Sequence, residues 1–339
     1  MKKYLLPKDG NFYKANLHMH TNISDGKMTP LETKEAFMAK GYAIVAFTDH
    51  EIMVPHPELT DDHFLAITST EISVNMRGDC DFSFTKCYHL NLYSEKPLKD
   101  AFTTYNAKFM WLKHSFDYLS DEQKQIAYQR EYSVDMINDV IAKANEDNCL
   151  VSYNHPVWSI QSYADYSGLK GLWGVEWFNN GCVRAGYPDT ITPIDDLLKE
   201  GENVFPLATD DAHCIEDCFG GFVMIKASDL KYATIFEALK KGDFYSSTKP
   251  EIDELFIEDG IIHIKTSPVK MIYVSTDRRC TFCAKAIENE VINGATLDIN
   301  HYLQSCNEQF SSFQYIRITV IDQEGNHAYT RAYHLNELQ

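Results

Sequence analysis

Across the first two thirds of this 339-residue sequence, short apolar runs alternate with helix-like stretches, and histidines or carboxylates punctuate the ends of the runs. Tyr13 to Leu17, Ala43 to Thr48, Phe64 to Thr70, Cys87 to Tyr93, Leu150 to Tyr153, Leu172 to Phe178 and Val204 to Thr209 read as strands, each short and rich in β-formers. Pro30 to Lys40, Val134 to Glu146, Pro193 to Glu200 and Ala233 to Lys241 read as helices between them. Local punctuation agrees. Thr29-Pro30 supplies a cap and a first-turn proline, Gly41 closes that helix, and Ser133 caps a stretch whose Val134, Ile137, Ile141 and Ala144 share one face. Such alternation implies parallel strands, hence an α/β barrel or an open sheet. Lys99 to Arg130, rich in aromatics, Lys and Gln, interrupts it and reads as a helical insertion over one strand end.

After Phe244 to Thr248 the rhythm changes. Leu255 to Glu258, Ile261 to Lys265, Met271 to Ser275, Tyr315 to Ile321 and Ala328 to Tyr333 read as strands joined by turn signals such as Asp259-Gly260 and Glu324-Gly325-Asn326. Ile316, Ile318 and Val320 alternate onto one face. The chain therefore divides into an α/β unit over 1–249 and a small antiparallel, sandwich-like β domain over 250–339.

Formal net charge is −18, which repels a polyphosphate backbone, so long nucleic acid is disfavoured as a partner. No run of about 18 apolar residues exists to span a membrane, and the N-terminus lacks the apolar core of a secretory signal; a cytosolic location is expected. Nine cysteines in such a chain suit free thiols better than disulfides. Cys280-x-x-Cys283 and Cys214-x-x-x-Cys218 look like zinc half-sites but lack a second half, and read as buried or incidental thiols.

The segment NLHMHTNISDG, Asn16 to Gly26, carries the first chemical signal. Strand residues two apart project to one face, so the imidazoles of His18 and His20 converge, with Asp25 in the loop beyond. Alone, an HxH pair is as readily an ordinary hydrogen-bonded pair. The pattern recurs, however. One strand ends in Asp49-His50, the next in Glu71, another carries His89, and later ones end in Asn154-His155-Pro156 and Asp211-Ala212-His213. In a parallel barrel those ends share one mouth, where active sites are built. Imidazoles with carboxylates suit zinc, manganese or iron, and nine donors exceed the needs of one ion, so two or three divalent ions are expected with Glu71 able to bridge. Asp25 is alternatively a turn residue before Gly26, and His89 lies inside its run. Of the adjacent Asp210 and Asp211, spacing from His213 favours Asp211. Asp49 should face away from the mouth and act behind the ligands or in packing rather than as a ligand. His56, His63, His114, His263, His301, His327 and His334 read as ordinary.

These segments resemble the polymerase-and-histidinol-phosphatase (PHP) family of metal-dependent phosphoesterases. HMHTNISDG is similar to its HxH and S-D-G motif, TDH at 48–50 to its second, Glu71, His89 and NHP at 154–156 to its middle ligands, and DAH at 211–213 to its last. The resemblance implies a distorted seven-stranded (β/α), TIM-like barrel holding two or three metals. By that pattern His18, His20, Glu71 and Asp211 hold one ion, Glu71, His89 and His155 a second, and Asp25, His50 and His213 a third. Tyr245 to Pro250 and the tail YIRITVIDQEGNHAYTR resemble two-domain members that append a β module; Lys249 stands where relatives often have glycine.

Such metals acidify a water and polarise a phosphoryl oxygen, which needs no protein nucleophile. A ligand-adjacent histidine or a metal-held water could protonate the leaving alkoxide. Arg184, in the loop after Leu172 to Phe178, is the first candidate to grip phosphate and equally a solvated loop arginine; Lys249 is the second. Four readings stay open: a phosphoesterase acting on a small phosphorylated substrate or nucleotide, an exonuclease on short oligonucleotides, an amidohydrolase-like enzyme cleaving C–N or C–O bonds, and a noncatalytic metal-stabilised binding module.

Overall fold

The computed structural model describes residues 2–77, 82–288, 290–300 and 313–338. His301, Cys80 and Cys306 lie outside them. After a short N-terminal strand β1 (Lys2–Tyr4), seven strands follow in chain order: β2 (Asn11–Asn16), β3 (Tyr42–Phe47), β4 (Leu65–Asn75), β5 (Cys87–Ser94), β6 (Cys149–Tyr153), β7 (Gly174–Asn179) and β8 (Phe205–Thr209). They are neighbours in that same order. β2–β3–β4 and β6–β7–β8 pair in parallel, whereas β5 is antiparallel to both β4 and β6. The expectation of parallel strands throughout is corrected at β5. Only residues 76–86 lie between β4 and β5, a connection too short for the crossover that a parallel pair needs, so the chain reverses. The first and last strands of the run approach one another beyond their ends: Met19 bridges Ala212 in parallel, His20 N donates to Ala212 O at 3.1 Å, and Asp211 N to His18 O at 3.0 Å.

Helices form where the caps require. α1 (Pro30–Met38) opens on a capping box in which Thr29 Oγ1 accepts from Glu32 N at 3.2 Å and the Glu32 carboxylate accepts from Thr29 N at 2.8 Å. α2 (Val134–Glu146) is capped by Ser133 and buries Ile137, Val140, Ile141 and Ala144 against the sheet. Later helices include α5 (Thr192–Lys199) and α6 (Tyr232–Lys241), preceded by the short α3 (Tyr163–Tyr166) and α4 (Asn180–Arg184). The insertion between β5 and α2 is not α-helical. Three short 3-10 segments, Ala107–Phe109, Lys113–Tyr118 and Gln123–Gln125, occupy it, because it is pinned by side-chain anchors rather than by an apolar stripe of helical period.

The large sheet runs on through β9 (Phe222–Ala227), antiparallel to β2, and β10 (Phe244–Ser247), which pairs β9 on one edge and the C-terminal part on the other. That part contains β11 (Ile252–Glu258), β12 (Ile261–Val269), β13 (Met271–Thr276), β14 (Thr281–Lys285), β15 (Ile292–Asp298), β16 (Tyr315–Ile321) and β17 (His327–His334). β17, β16, β13 and β14 extend the large sheet to 13 strands, and β1, β11, β12 and β15 make a second, antiparallel sheet. The fold is thus mixed α/β with a small antiparallel sheet. Ile316, Ile318 and Val320 of β16 do share a buried cluster, with Leu255 and Ile257 of β11 and Ile262 and Ile264 of β12. No helix among the described residues is long and apolar enough to cross a membrane. The described cysteines are free thiols.

Candidate metal centre

Glu71 sits at the middle of the site. Its carboxylate lies 3.3 Å from His18 Nε2, 3.3 Å from His20 Nε2, 3.3 Å from His50 Nδ1, 3.1 Å from His89 Nδ1 and 3.3 Å from His155 Nε2, and is 1% exposed. Each imidazole comes from a different turn of the sheet except the first pair, which the Met19–Ala212 bridge holds side by side. His89 stands near the start of β5. Because β5 runs against its neighbours, its beginning opens on the mouth where the other strands end, which explains a donor inside its run.

Three groups have donor atoms within 4.8 Å of one another: His18, His20, Glu71 and Asp211; Glu71, His89 and His155; and His20, Asp25, His50 and His213. All nine expected donors are therefore brought together, with His20 and Glu71 each shared between two groups. Asp211 Oδ1 lies 3.2 Å from His18 Nε2 and 3.1 Å from His20 Nε2, and Asp25 Oδ2 lies 3.3 Å from His213 Nε2. Asp211 and His155 hold left-handed backbone angles, φ +50° and +27°, a strain that non-glycine residues tolerate where the surroundings fix it.

Hydrogen bonds set which nitrogen of His18 and of His213 faces inward. Glu176, in β7, accepts from His18 Nδ1 at 2.7 Å and Thr209 Oγ1 at 2.7 Å on one oxygen, and from His155 N at 3.1 Å and Asn179 Nδ2 at 2.9 Å on the other. His18 therefore carries its proton on Nδ1 and turns the Nε2 lone pair inward, where His20 Nε2 faces it at 3.2 Å. His213 Nδ1 likewise donates to Asp211 O at 3.1 Å and leaves Nε2 toward Asp25. The contact of His18 Nε2 with His20 Nε2, together with the buried His20 Nδ1 and Asp211 Oδ1 that have no hydrogen-bond partner, makes a set of donors that a cation satisfies and a proton alone does not. The residues fit divalent metal.

The electrostatics point the same way. Burial opposes charge on His18 and His89, yet Asp211, Glu71 and Glu176 around the first and Glu71 around the second raise both well above the ordinary 6.5. His20 rises to about 10 for the same reason, against burial. Burial would raise Glu71 and Asp211, but the imidazoles hold both well below the ordinary carboxylate range. His50 is pushed to about 3 by burial and the neighbouring His20.

Behind the donors, Asp49 accepts from Thr21 N and Oγ1 at 2.8 Å each and from Ser24 Oγ at 2.7 Å, fixing the loop that ends in Asp25. Gly26 is required there: a Cβ would lie 2.2 Å from His20 O. Asp210 is turned away from the cluster and accepts backbone N–H groups of Phe219, Gly220 and Gly221 at 2.7–2.9 Å. Asn154 Nδ2 donates to Glu71 at 2.9 Å. The sequence reading does not single out Glu176 and Asn154 as positioning groups; the lone glutamate inside the apolar run GLWGVEWF is the signal that points to Glu176.

The two expected phosphate grips sit outside the cluster. Arg184 Nε is 3.4 Å from Asp217, whose carboxylate accepts from His213 N at 3.4 Å, and its side chain is half exposed. Lys249 Nζ pairs with Glu324 at 2.7 Å on the surface. His114 is not idle: its Nε2 donates to Ser24 O at 2.9 Å.

No family model and no curated protein matches the sequence. Solved structures do. One, from Bacteroides vulgatus, is named as a two-domain protein containing a "predicted PHP-like metal-dependent phosphoesterase"; it is 13% identical over 98% of each chain, with TM-score 0.45. A second, named a putative metal-dependent phosphoesterase from Bifidobacterium adolescentis, is 15% identical over 61% of this chain and 89% of its own, with TM-score 0.35. A third, named a lesion-specific endonuclease from Pyrococcus furiosus, is 14% identical over 68% of this chain and 56% of its own, with TM-score 0.39.

Proposed function

We propose that the chain is a metal-dependent phosphoesterase of the PHP kind, hydrolysing a small phosphomonoester to an alcohol and inorganic phosphate. One observation carries it: a buried glutamate at 3.1–3.3 Å from five imidazoles, with two further carboxylates closing the groups on either side. We read the three groups as sites for two or three divalent ions, manganese, zinc or iron, with Glu71 bridging. We read β2 to β8 as a distorted seven-stranded barrel, residues 1–249 as the catalytic unit, and 250–339 as a packed cap.

Bound ions would acidify a coordinated water and draw charge from a phosphoryl oxygen. The chain's own side chains prepare that chemistry. Glu176 and Asp211 O fix the tautomers of His18 and His213, Asn154 orients Glu71, and Asp49 holds the Asp25 loop against them. His213, with a third of its side chain exposed, borders the mouth, and Arg184 behind it supplies a guanidinium for phosphate once freed from Asp217.

Metal analysis of the purified chain, joined to phosphate release from an aryl phosphate in Mn²⁺, tests the reading. Turnover should vanish in His20→Ala; strong release unaffected by that change would refute the assignment.

A further inference from the structure

Of the exposed aromatics in the insertion between β5 and α2, Trp111 lies beside the donor cluster. Trp111 is 60% exposed, yet its ring lies 5.8 Å from that of His50. The segment is held in place: His114 Nε2 donates to Ser24 O at 2.9 Å, Ser115 Oγ to Ile23 O at 2.6 Å, and Arg130 Nη2 to Glu51 at 2.6 Å. These anchors grip the two loops that carry Asp25 and His50, so Trp111 is positioned relative to the metal centre itself. An indole left in water forgoes the stabilisation that burying its apolar surface brings, which a bound ring would recover.

The opposite flank matches. Trp158 stands edge-on to His89 and His155, with ring centroids 5.5 and 5.0 Å apart. The His213 side is polar instead, bordered by Asp217, Arg184 and the Lys27 backbone, whose N–H donates to His213 O at 2.8 Å. The mouth thus has a polar edge, where Arg184 is paired with Asp217, and an indole edge beside His50.

We propose that Trp111 is a specificity-determining residue, and that the site takes phosphomonoesters whose alcohol carries a planar aromatic or heteroaromatic ring stacked on that indole. The proposal rests on the phosphoesterase reading and narrows its substrate class. An indole face stacks on phenyl and nucleobase rings alike and offers a flexible aliphatic chain much less. The net charge of −18 keeps the occupant a single small ester rather than a long polyanion.

The test compares phenyl phosphate, adenosine 5′-monophosphate and glycerol 3-phosphate on the full Mn²⁺-loaded chain, with calorimetric binding of phenylphosphonate and methylphosphonate as a readout independent of turnover. In Trp111→Ala the kcat/KM ratio of either ring-bearing ester to glycerol 3-phosphate should fall roughly tenfold, within the range that stacking of one base supplies. The preference for phenylphosphonate over methylphosphonate should fall alongside it, and Trp111→Phe should restore most of both. Equal losses for all three esters, or no loss, would overturn the proposal while leaving the phosphoesterase reading intact. So would a short oligonucleotide cleaved in preference to every monoester. Wild-type chain that binds metal but releases phosphate from none of the three would overturn both.

Discussion

Glu176→Gln tests how far the metal centre depends on a group that touches no ion. The buried glutamate receives four hydrogen bonds, two on each oxygen. The pair on Oε2 comes from a backbone N–H and from Asn179, whose amide oxygen is already committed to Cys182 N at 3.0 Å. Neither can become an acceptor cheaply, so the glutamine must place its oxygen there and turn its NH₂ toward Thr209 and His18. Thr209 can rotate its hydroxyl. His18 can accept only by moving its proton from Nδ1 to Nε2, which plants a hydrogen where the inward lone pair stood. Loss of such an orienting partner costs about 10–100-fold in metal affinity, or about 1.4–2.7 kcal/mol. Competition of Mn²⁺ or Zn²⁺ against a fluorescent chelator measures it, and the ¹⁵N shifts of His18 report the tautomer. The volume is conserved, so the melting temperature in chelator should stay within a few degrees of wild type. Unchanged affinity with the Nδ1–H tautomer retained would refute the reasoning, as would a collapse of stability that accounts for the whole loss.

Other perturbations follow from particular contacts. Arg130→Met strands the buried carboxylate of Glu51, both side chains being at most 1% exposed, and should cost about 3–5 kcal/mol in denaturant unfolding; adding Glu51→Gln should recover part of it, and additive losses would argue against the pairing. Gly26→Ala drives a Cβ into His20 O and should displace Asp25, weakening metal binding more than it lowers the melting temperature. Asp165 gives an acid-side prediction. Burial opposes its charge, but Lys86 at 2.6 Å, Ser162 and Tyr132 hold it below the ordinary 3.8, so its contribution is complete above the unfolded value and is lost as pH falls below 3.8. Melting curves of Asp165→Asn and wild type should differ at pH 7 and converge toward pH 3; a gap that widens on acidification would contradict this.

Most of the donors are legible because they lie at or near the end of an apolar run of a few residues, and period two sets which neighbour faces the mouth. Asp211 over Asp210 followed from spacing alone, and Asp210 is indeed spent on the backbone of 219–221. What escaped was long-range. Nothing local to Cys87–Ser94 shows that β5 reverses, and nothing local to Glu176 shows that it meets a histidine 158 positions away. Lys99 to Arg130, rich in aromatics, Lys and Gln, reads as helical from composition, yet it folds as short 3-10 segments. His114 and Ser115 anchor it to the loop before Asp25, and Trp111 stands beside His50, contacts set by loops far off in sequence.

The central claim is that a shared carboxylate at the heart of an imidazole ring holds divalent cations. Anomalous diffraction from crystals grown with Mn²⁺ tests it most directly. At least two peaks should appear within coordination distance of Glu71, and Glu71→Gln should lose the peak on the His89 and His155 side. Ordered side chains in the arrangement described, with no anomalous peak among them at saturating Mn²⁺ or Zn²⁺, would contradict the account.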